Sequence, residues 1–203
     1  MSTSRQTKAD VVGDFRRSQI LDAARRSFID KGLSGTTVDG IARTAGVAKG
    51  TVYLYYRSKD EILRQLLAAD LAELEADTLP CITSSGTVEE RLKRFFTATL
   101  AFFDRKRDFV EQCHLDMSPD LKKKTLQQYQ RVYDAQRAAW RTVLTTAASP
   151  RRSRAADVDA TALSLVALAH GVSRQRLLGW ISTPIATLAA QTSAFALKGL
   201  AGR

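Results

Sequence analysis

Residues 37–62 read TVDGIARTAGVAKGTVYLYYRSKDEI, and the order of residue types in that run decides the fold. Thr37 stands before Val38, Ile41, Ala42 and Ala45. That i, i+3, i+4, i+7 spacing makes one apolar helix face behind a hydroxyl cap. Gly46 then breaks the pattern at a place where a tight corner needs a positive φ, and Ala42 is small enough to let two helices approach closely. Val47 follows, and a second short helix is predicted over 48–55, with Val52 turned inward. Ser58 and Glu61, three residues apart, form a capping-box signature that opens another helix. Two short helices around a glycine corner make a helix-turn-helix, whose second helix enters the major groove of DNA with its first residues facing base edges.

Periodicity on either side of this run is helical. Upstream, a helix is predicted over 14–31, with Ile20, Ala24 and Phe28 on one face, Leu21 beside them and Gly32 as a left-handed C-terminal cap. Residues 1–13 read as a flexible arm, whose Arg5 and Lys8 could reach a minor groove or serve as a mere tail. Downstream, the helix opened at Ser58 carries Ile62, Leu66, Leu67, Leu71 and Leu74 and is predicted to stop at Pro80. A loop over 82–86 leads to a second capping box, Thr87 with Glu90, and a helix to 107 bearing Phe95, Phe96, Phe102 and Phe103. A short piece over 108–117 precedes a long helix opened by Pro119 and ending near 148. The charged stretch 149–154 is a linker, a helix is predicted over 158–181, and Pro184 opens the last one. No alternating strand and no 20–50-residue repeat is visible. The expected fold is all-α: an N-terminal three-helix domain over 1–61 and a helical C-terminal domain over 62–203.

Composition narrows the partners. The 203 residues carry a net charge of +10. Twelve basic against seven acidic residues in the first 64 place about half of that excess beside the helix-turn-helix. A basic balance favours a polyanion such as the phosphate backbone. Cys81 and Cys113 are the only cysteines, so neither a disulfide framework nor a zinc-finger spacing is indicated, and a redox role for either thiol lacks a neighbouring resolving thiol. A polar start without a signal-peptide core, and no apolar run long enough for a bilayer, lead to the expectation of a cytoplasmic protein with no membrane partner.

The run from Thr37 to Ile62, with the preceding helix from Ile20 to Gly32, resembles the signature of the tetracycline-repressor (TetR) family over roughly residues 15–65. The resemblance implies a homodimeric transcriptional regulator. Its C-terminal domain would dimerise through the last two helices and bind an unidentified small-molecule effector that controls release from a palindromic operator. Three departures stand out. Ala48 replaces a frequent serine and removes a hydroxyl that could cap the reading helix. Gly40 stands where an acidic residue is usual, and Tyr56 where phenylalanine is.

Within the motif, Lys49, Gly50 and Thr51 occupy the leading turn: a lysine for guanine or phosphate, a glycine for close approach, a threonine for a base edge or a thymine methyl. Tyr53, Tyr55 and Lys59 suit phosphates, and Thr37 can aim its hydroxyl and a helix start at one. Tyr55 and Tyr56 could instead be core aromatics, Tyr56 above all, and Lys59 a plain solvated charge. For an effector, the aromatic and polar candidates are Phe102, Phe103, Phe109, Cys113, His114, Met117, Tyr129, Tyr133, Trp140, His170 and Arg174. The same residue types equally describe a helical core. No cofactor and no metal site is expected.

Two other function classes compete. An all-helical enzyme would need catalytic groups that meet in space, and the adjacency of Cys113, His114 and Asp116 in the chain does not provide that. No enzyme motif is present, so no catalysis is expected. A DNA-binding protein without any effector is the nearer alternative.

Overall fold

The computed structural model describes residues 8–147 and 155–201. The side chains of 8–9, 113–116, 155–156 and 201 are not among those described. Most of the predicted arm (1–7 of 1–13) and the whole of the predicted linker, 149–154, therefore lie outside the described residues. The described residues form helices only: α1 (Lys8–Gly35), α2 (Val38–Ala45), α3 (Lys49–Tyr55), α4 (Lys59–Thr83), α5 (Val88–Arg105), α6 (Arg107–Asp116), α7 (Pro119–Ala147), α8 (Ala155–Leu177) and α9 (Ile185–Ala201). The all-α expectation holds.

Local chemistry explains most of the boundaries. Gly32, with φ 68° and ψ 174°, interrupts α1 at the place where the sequence put its stop. The start of α1 is earlier than predicted: it already runs at Lys8, with Asp10 in its first turn, where the helix dipole favours an acid. An Asp14–Arg17 pair at 3.2 Å extends that solvated end. Thr87 and Glu90 complete their capping box in both directions. In the Ser58 box, Glu61 N donates to Ser58 Oγ, while the Glu61 carboxylate accepts from Arg57 N at 2.7 Å, one residue before the expected donor.

Two predicted stops are corrected. Pro80 does not end α4, which runs to Thr83. Proline removes one intrahelical donor there, but Ile82 in the following turn is fully buried in the core, and that packing holds the turn in place. Conversely, α8 stops at Leu177 rather than 181. Gly179 (φ 73°) carries the left-handed step, and the bonds Trp180 N to Gln175 O and Gly179 N to Arg176 O make a Schellman ending.

The chain divides into two compact units. One holds the described residues up to Ala69 together with Asp108–Thr125; the other holds Asp70–Arg107 with the described residues from Leu126 onward. In the first unit, Ile20, Ala24, Phe28, Ile41, Ala42, Ala45, Val52 and Ile62 form a buried core with Phe109 and Leu121. In the second, α5 packs against both α8 and α9. Phe95, Phe96, Trp140, Ala162, Val166 and Ala189 fill the interior, with the Phe95 and Trp140 rings edge to face at 5.7 Å. Ion pairs brace its rim: Lys106 meets Asp70 at 2.8 Å and Glu73 at 2.6 Å, and Arg176 grips both carboxylate oxygens of Asp104.

The corner between α2 and α3 depends on Gly46, at φ 66° and ψ 33°. Its N–H and that of Val47 close the end of α2 through Arg43 O and Ala42 O. A Cβ at this position would meet nothing within 4 Å, so the cost of any side chain is backbone cost alone. Gly46→Ala should lower stability by about 1–2 kcal/mol, the left-handed penalty for an L-residue, and Gly46→Asn by less. Urea unfolding of the three proteins measures the order, and an Ala variant as stable as the parent would contradict it.

Candidate nucleic-acid interface

The surface that faces outward from the corner is built from the inside. Val52 is fully buried and Tyr56 is 5% exposed, so the inward stripe of α3 is fixed on the first core. The Tyr56 hydroxyl donates to Arg17 O at 3.3 Å, and burial raises its pKa. Tyr56 is a core aromatic, and the hydroxyl it adds to phenylalanine finds a backbone acceptor. Gln19 of α1 donates to Ala45 O at 2.8 Å, satisfying one carbonyl at the end of α2. Thr37 caps α2, its Oγ1 accepting from Gly40 N at 3.1 Å. The departure at Gly40 has a local reason, since a Cβ there would lie 3.3 Å from that same Oγ1. Ala48 is the N-cap of α3 and makes no side-chain cap bond, as expected for a residue without a hydroxyl.

The predicted contact residues fall into three groups. Gly50, Tyr53 and Lys49 are exposed, and Thr51 is half-buried beside them. Nothing would lie within 4 Å of a Gly50 Cβ, so the backbone there is open to a close neighbour. Tyr55 is half-buried against the core, with the Arg17 guanidinium 5.6 Å from its ring centroid. The two lysines are tethered. Lys49 Nζ lies 3.0 Å from Asp39 Oδ1, an exposed pair whose hydrogen bond raises the lysine pKa. Lys59 Nζ donates to Leu33 O at 2.6 Å and to Thr36 O at 2.9 Å. Lys59 is thus not a plain solvated charge. It clamps the end of α1 and the residue that follows it to the first turn of α4, and it retains one ammonium proton for an outside acceptor. Sequence reasoning passed over Leu54, 82% exposed on the outer face of α3. The available signal was its place between the inward residues Val52 and Tyr56.

The effector candidates are not brought together as one set. Phe109 and Met117 belong to the core of the first unit, and Cys113 and His114 lie outside the described side chains. Phe102, Phe103, Tyr129, Tyr133 and His170 do meet, in the second unit. The Tyr133 and His170 rings are 4.2 Å apart, and Phe103 stands edge-on to His170 at 5.8 Å. Phe102 is edge-on to Phe103. Trp140 is fully buried, and its Nε1–H has no partner among the described residues. Arg174 is exposed.

A chain of hydrogen bonds crosses this aromatic group, and it fixes every proton. Thr78 Oγ1 donates to Leu74 O at 2.6 Å, so it accepts from Gln136 Nε2 at 2.8 Å. Gln136 Oε1, an acceptor only, requires a proton on His170 Nε2, 2.8 Å away. His170 Nδ1 is then bare and accepts from the Tyr129 hydroxyl at 2.6 Å. The chain works with a neutral imidazole, and burial lowers the His170 pKa to about 3. Burial likewise pushes the Tyr129 phenol well above its usual value. No group of three metal-ligating side chains occurs among the described residues, and no described helix is long and apolar enough to cross a membrane.

Fold and surface together define an all-helical helix-turn-helix protein. Residues 20–66 match the family model described as bacterial regulatory proteins, tetR family. The HTH-type transcriptional regulator SrpR of Pseudomonas putida is 40% identical over 77 residues, which is 38% of this chain and 35% of SrpR. A TetR-like transcriptional regulator from Rhodococcus sp. RHA1 is similar over 98% of this chain and 100% of its own, with a TM-score of 0.66 and 25% identity. The transcriptional regulator FadR of Bacillus subtilis, solved in complex with stearoyl-CoA, shares the fold over 90% of this chain and 98% of its own at a TM-score of 0.71 and 19% identity. The sequence likeness to the tetR family of bacterial regulatory proteins is thus carried by residues 20–66, and the likeness of fold to a TetR-like regulator extends over nearly the whole chain. Its sequence matches span only 35–48% of the length of the first curated relatives.

Proposed function

We propose that this protein is a sequence-specific DNA-binding transcriptional regulator, a repressor that leaves a palindromic operator when a small molecule binds. The observation that carries this reading is the outer face of α3. An open glycine, an exposed tyrosine and an exposed leucine stand on a helix whose inner face is fixed in a core. Such a surface has no use inside the unit and matches what a duplex groove accepts. Residues 1–61 would read DNA, and residues 62–203 would dimerise and take the effector. Two recognition helices related by a two-fold axis would meet half-sites one helical turn apart, or a multiple of it.

For the homodimer, Leu163 on α8 and Phe195 on α9 are exposed at 48% and 68%, while their neighbours Ala162 and Ala196 are buried. Apolar side chains on the outer faces of the last two helices suit an isologous four-helix contact. For the effector, the aromatic group around His170 and the Trp140 Nε1–H, which has no partner among the described residues and lies one turn along α7 from Gln136, offer apolar walls with few polar groups. The B. subtilis neighbour with stearoyl-CoA supports a ligand within this fold. The protein needs no catalytic role in this scheme and would act in the cytoplasm. A thermal-shift screen separates an effector-controlled regulator from one without an effector, because a ligand that binds the native state raises its melting temperature.

The test of DNA binding is selection from a randomised duplex library, followed by affinity measurement at several salt concentrations. Log affinity should fall linearly with log salt. Lys49→Ala and Lys59→Ala should each weaken binding and reduce that slope by about 1 if the ammonium neutralises one phosphate. Lys59→Ala should also lower the melting temperature, since Leu33 O and Thr36 O lose their donor. An unchanged slope removes that lysine from the interface, and a library from which nothing is enriched overturns the proposal.

A further inference from the structure

Leu54 has the highest exposure, 82%, among the large apolar side chains described. A leucine on a helix leans toward the N-terminus and covers the surface of the preceding turn. Gly50, one turn earlier, has no side chain, and nothing lies within 4 Å of the place where its Cβ would be. The outer surface of α3 therefore carries an exposed isobutyl group one turn from open backbone, with Thr51 and Tyr53 nearby in the sequence. Leucine neither donates nor accepts a hydrogen bond. Among the groups that base pairs display in the major groove, the apolar one is the C5-methyl of thymine.

We infer that Leu54 is a specificity-determining residue, reading a thymine methyl in each half-site, with Gly50 supplying the clearance that brings the base edge to it. The inference rests on the DNA-binding reading above and names what that surface recognises. Residues that offer hydrogen bonds to bases, such as Lys49 and Thr51, would then set other positions of the half-site.

The experiment uses the duplex that the full chain enriches from a random library, with each thymine replaced in turn by deoxyuridine. This exchange removes the methyl and leaves every hydrogen-bonding group in place. At one position per half-site the parent should lose about fourfold in affinity, the equivalent of about 0.8 kcal/mol for one buried methyl. Leu54→Ala and Leu54→Gln should bind the thymine duplex several-fold more weakly and bind the thymine and deoxyuridine duplexes equally. Both variants should melt with the parent, because the side chain contributes little to the core. A variant that still discriminates thymine from deoxyuridine at that position, or a parent indifferent to every methyl, overturns the assignment to Leu54 while leaving DNA binding intact. Failure to enrich any duplex overturns the DNA-binding reading itself, and the Leu54 assignment with it.

Discussion

Phe28→Ala is expected to destabilise the first unit by about 3–5 kcal/mol, the usual range for deleting a fully buried phenylalanine. The ring is completely buried. It belongs to one buried cluster with Ala24 of α1, Ile41 and Ala45 of α2 and Val52 of α3, and its ring centroid is 6.5 Å from that of Phe109. The Arg25 guanidinium stands over the far ring at 4.5 Å, so the site has little freedom to collapse around a void. Such a loss is comparable with the whole stability of many domains. The consequence therefore extends to function: α3 is anchored in this core through Val52, and a unit that unfolds presents no reading helix. Urea unfolding followed by circular dichroism gives the stability, and gel retardation of the selected duplex gives the binding. Phe28→Leu, which keeps most of the volume, should lose far less and still retard DNA. A Phe28→Ala protein that binds as the parent does would show that the core is not what positions α3.

The helix-turn-helix was legible because its determinants are local. A threonine cap, a positive-φ glycine and an apolar i, i+3, i+4 face all lie within ten residues of one another, and each appears in the structure where the spacing put it. The capping boxes at Ser58 and Thr87 are local in the same way. What the sequence concealed are links between residues far apart in the chain. The Lys59 ammonium reaches back 26 residues to Leu33 O and 23 to Thr36 O, and nothing in its own surroundings distinguishes it from a solvated lysine. The bond between Gln136 and Thr78 joins residues 58 apart. That pairing turns His170, an unremarkable histidine on an apolar helix, into the centre of a buried polar chain. Pro80 misled because propensity is a weak guide where the next turn is packed into a core. The early end of α8 does have a local signal, a glycine at 179 just past a helix that carries Arg174 and Arg176 in its last turn.

The second large effect follows from that polar chain and concerns pH. His170 is 4% exposed and its folded pKa is lowered to about 3, against 6.5 for a free imidazole. Around it are the Tyr129 and Tyr133 phenols, the Gln136 amide and the Phe103 ring, none of which stabilises an added positive charge by ion pairing. The unfolded chain takes up a proton here as pH falls below 6.5, while the folded protein does not until about 3. The unfolded state thus binds more protons throughout that window, and stability declines as pH drops, by about 1.4 kcal/mol per pH unit for one such group. From pH 6.5 to 4.5 the loss should be about 2–3 kcal/mol, rising to about 4–5 near pH 3. Carboxylates act in a lower window. Asp104 is held down by the Arg176 hydrogen bonds, and Glu90 by the Thr87 backbone N–H. Glu73, which burial alone would raise, is held down by Lys106 and Arg105. Their stabilisation is present above the ordinary carboxylate pKa of about 4 and lost below it. Between pH 6.5 and 4.5 the histidine signal therefore stands apart from theirs. His114 is the only other imidazole in the chain, so the comparison that isolates the effect is the parent against His170→Gln. The variant should be less stable at pH 7, because the Tyr129 hydroxyl and Gln136 Oε1 lose a well-placed partner. Its stability should fall less steeply with acid than the parent's, by about one proton's worth. Urea titrations at half-unit steps of pH read both quantities. Parallel slopes for the two proteins would show that His170 takes up its proton in the folded state as readily as in the unfolded one, and that the neutral chain from Tyr129 to Thr78 is not what the buried imidazole maintains.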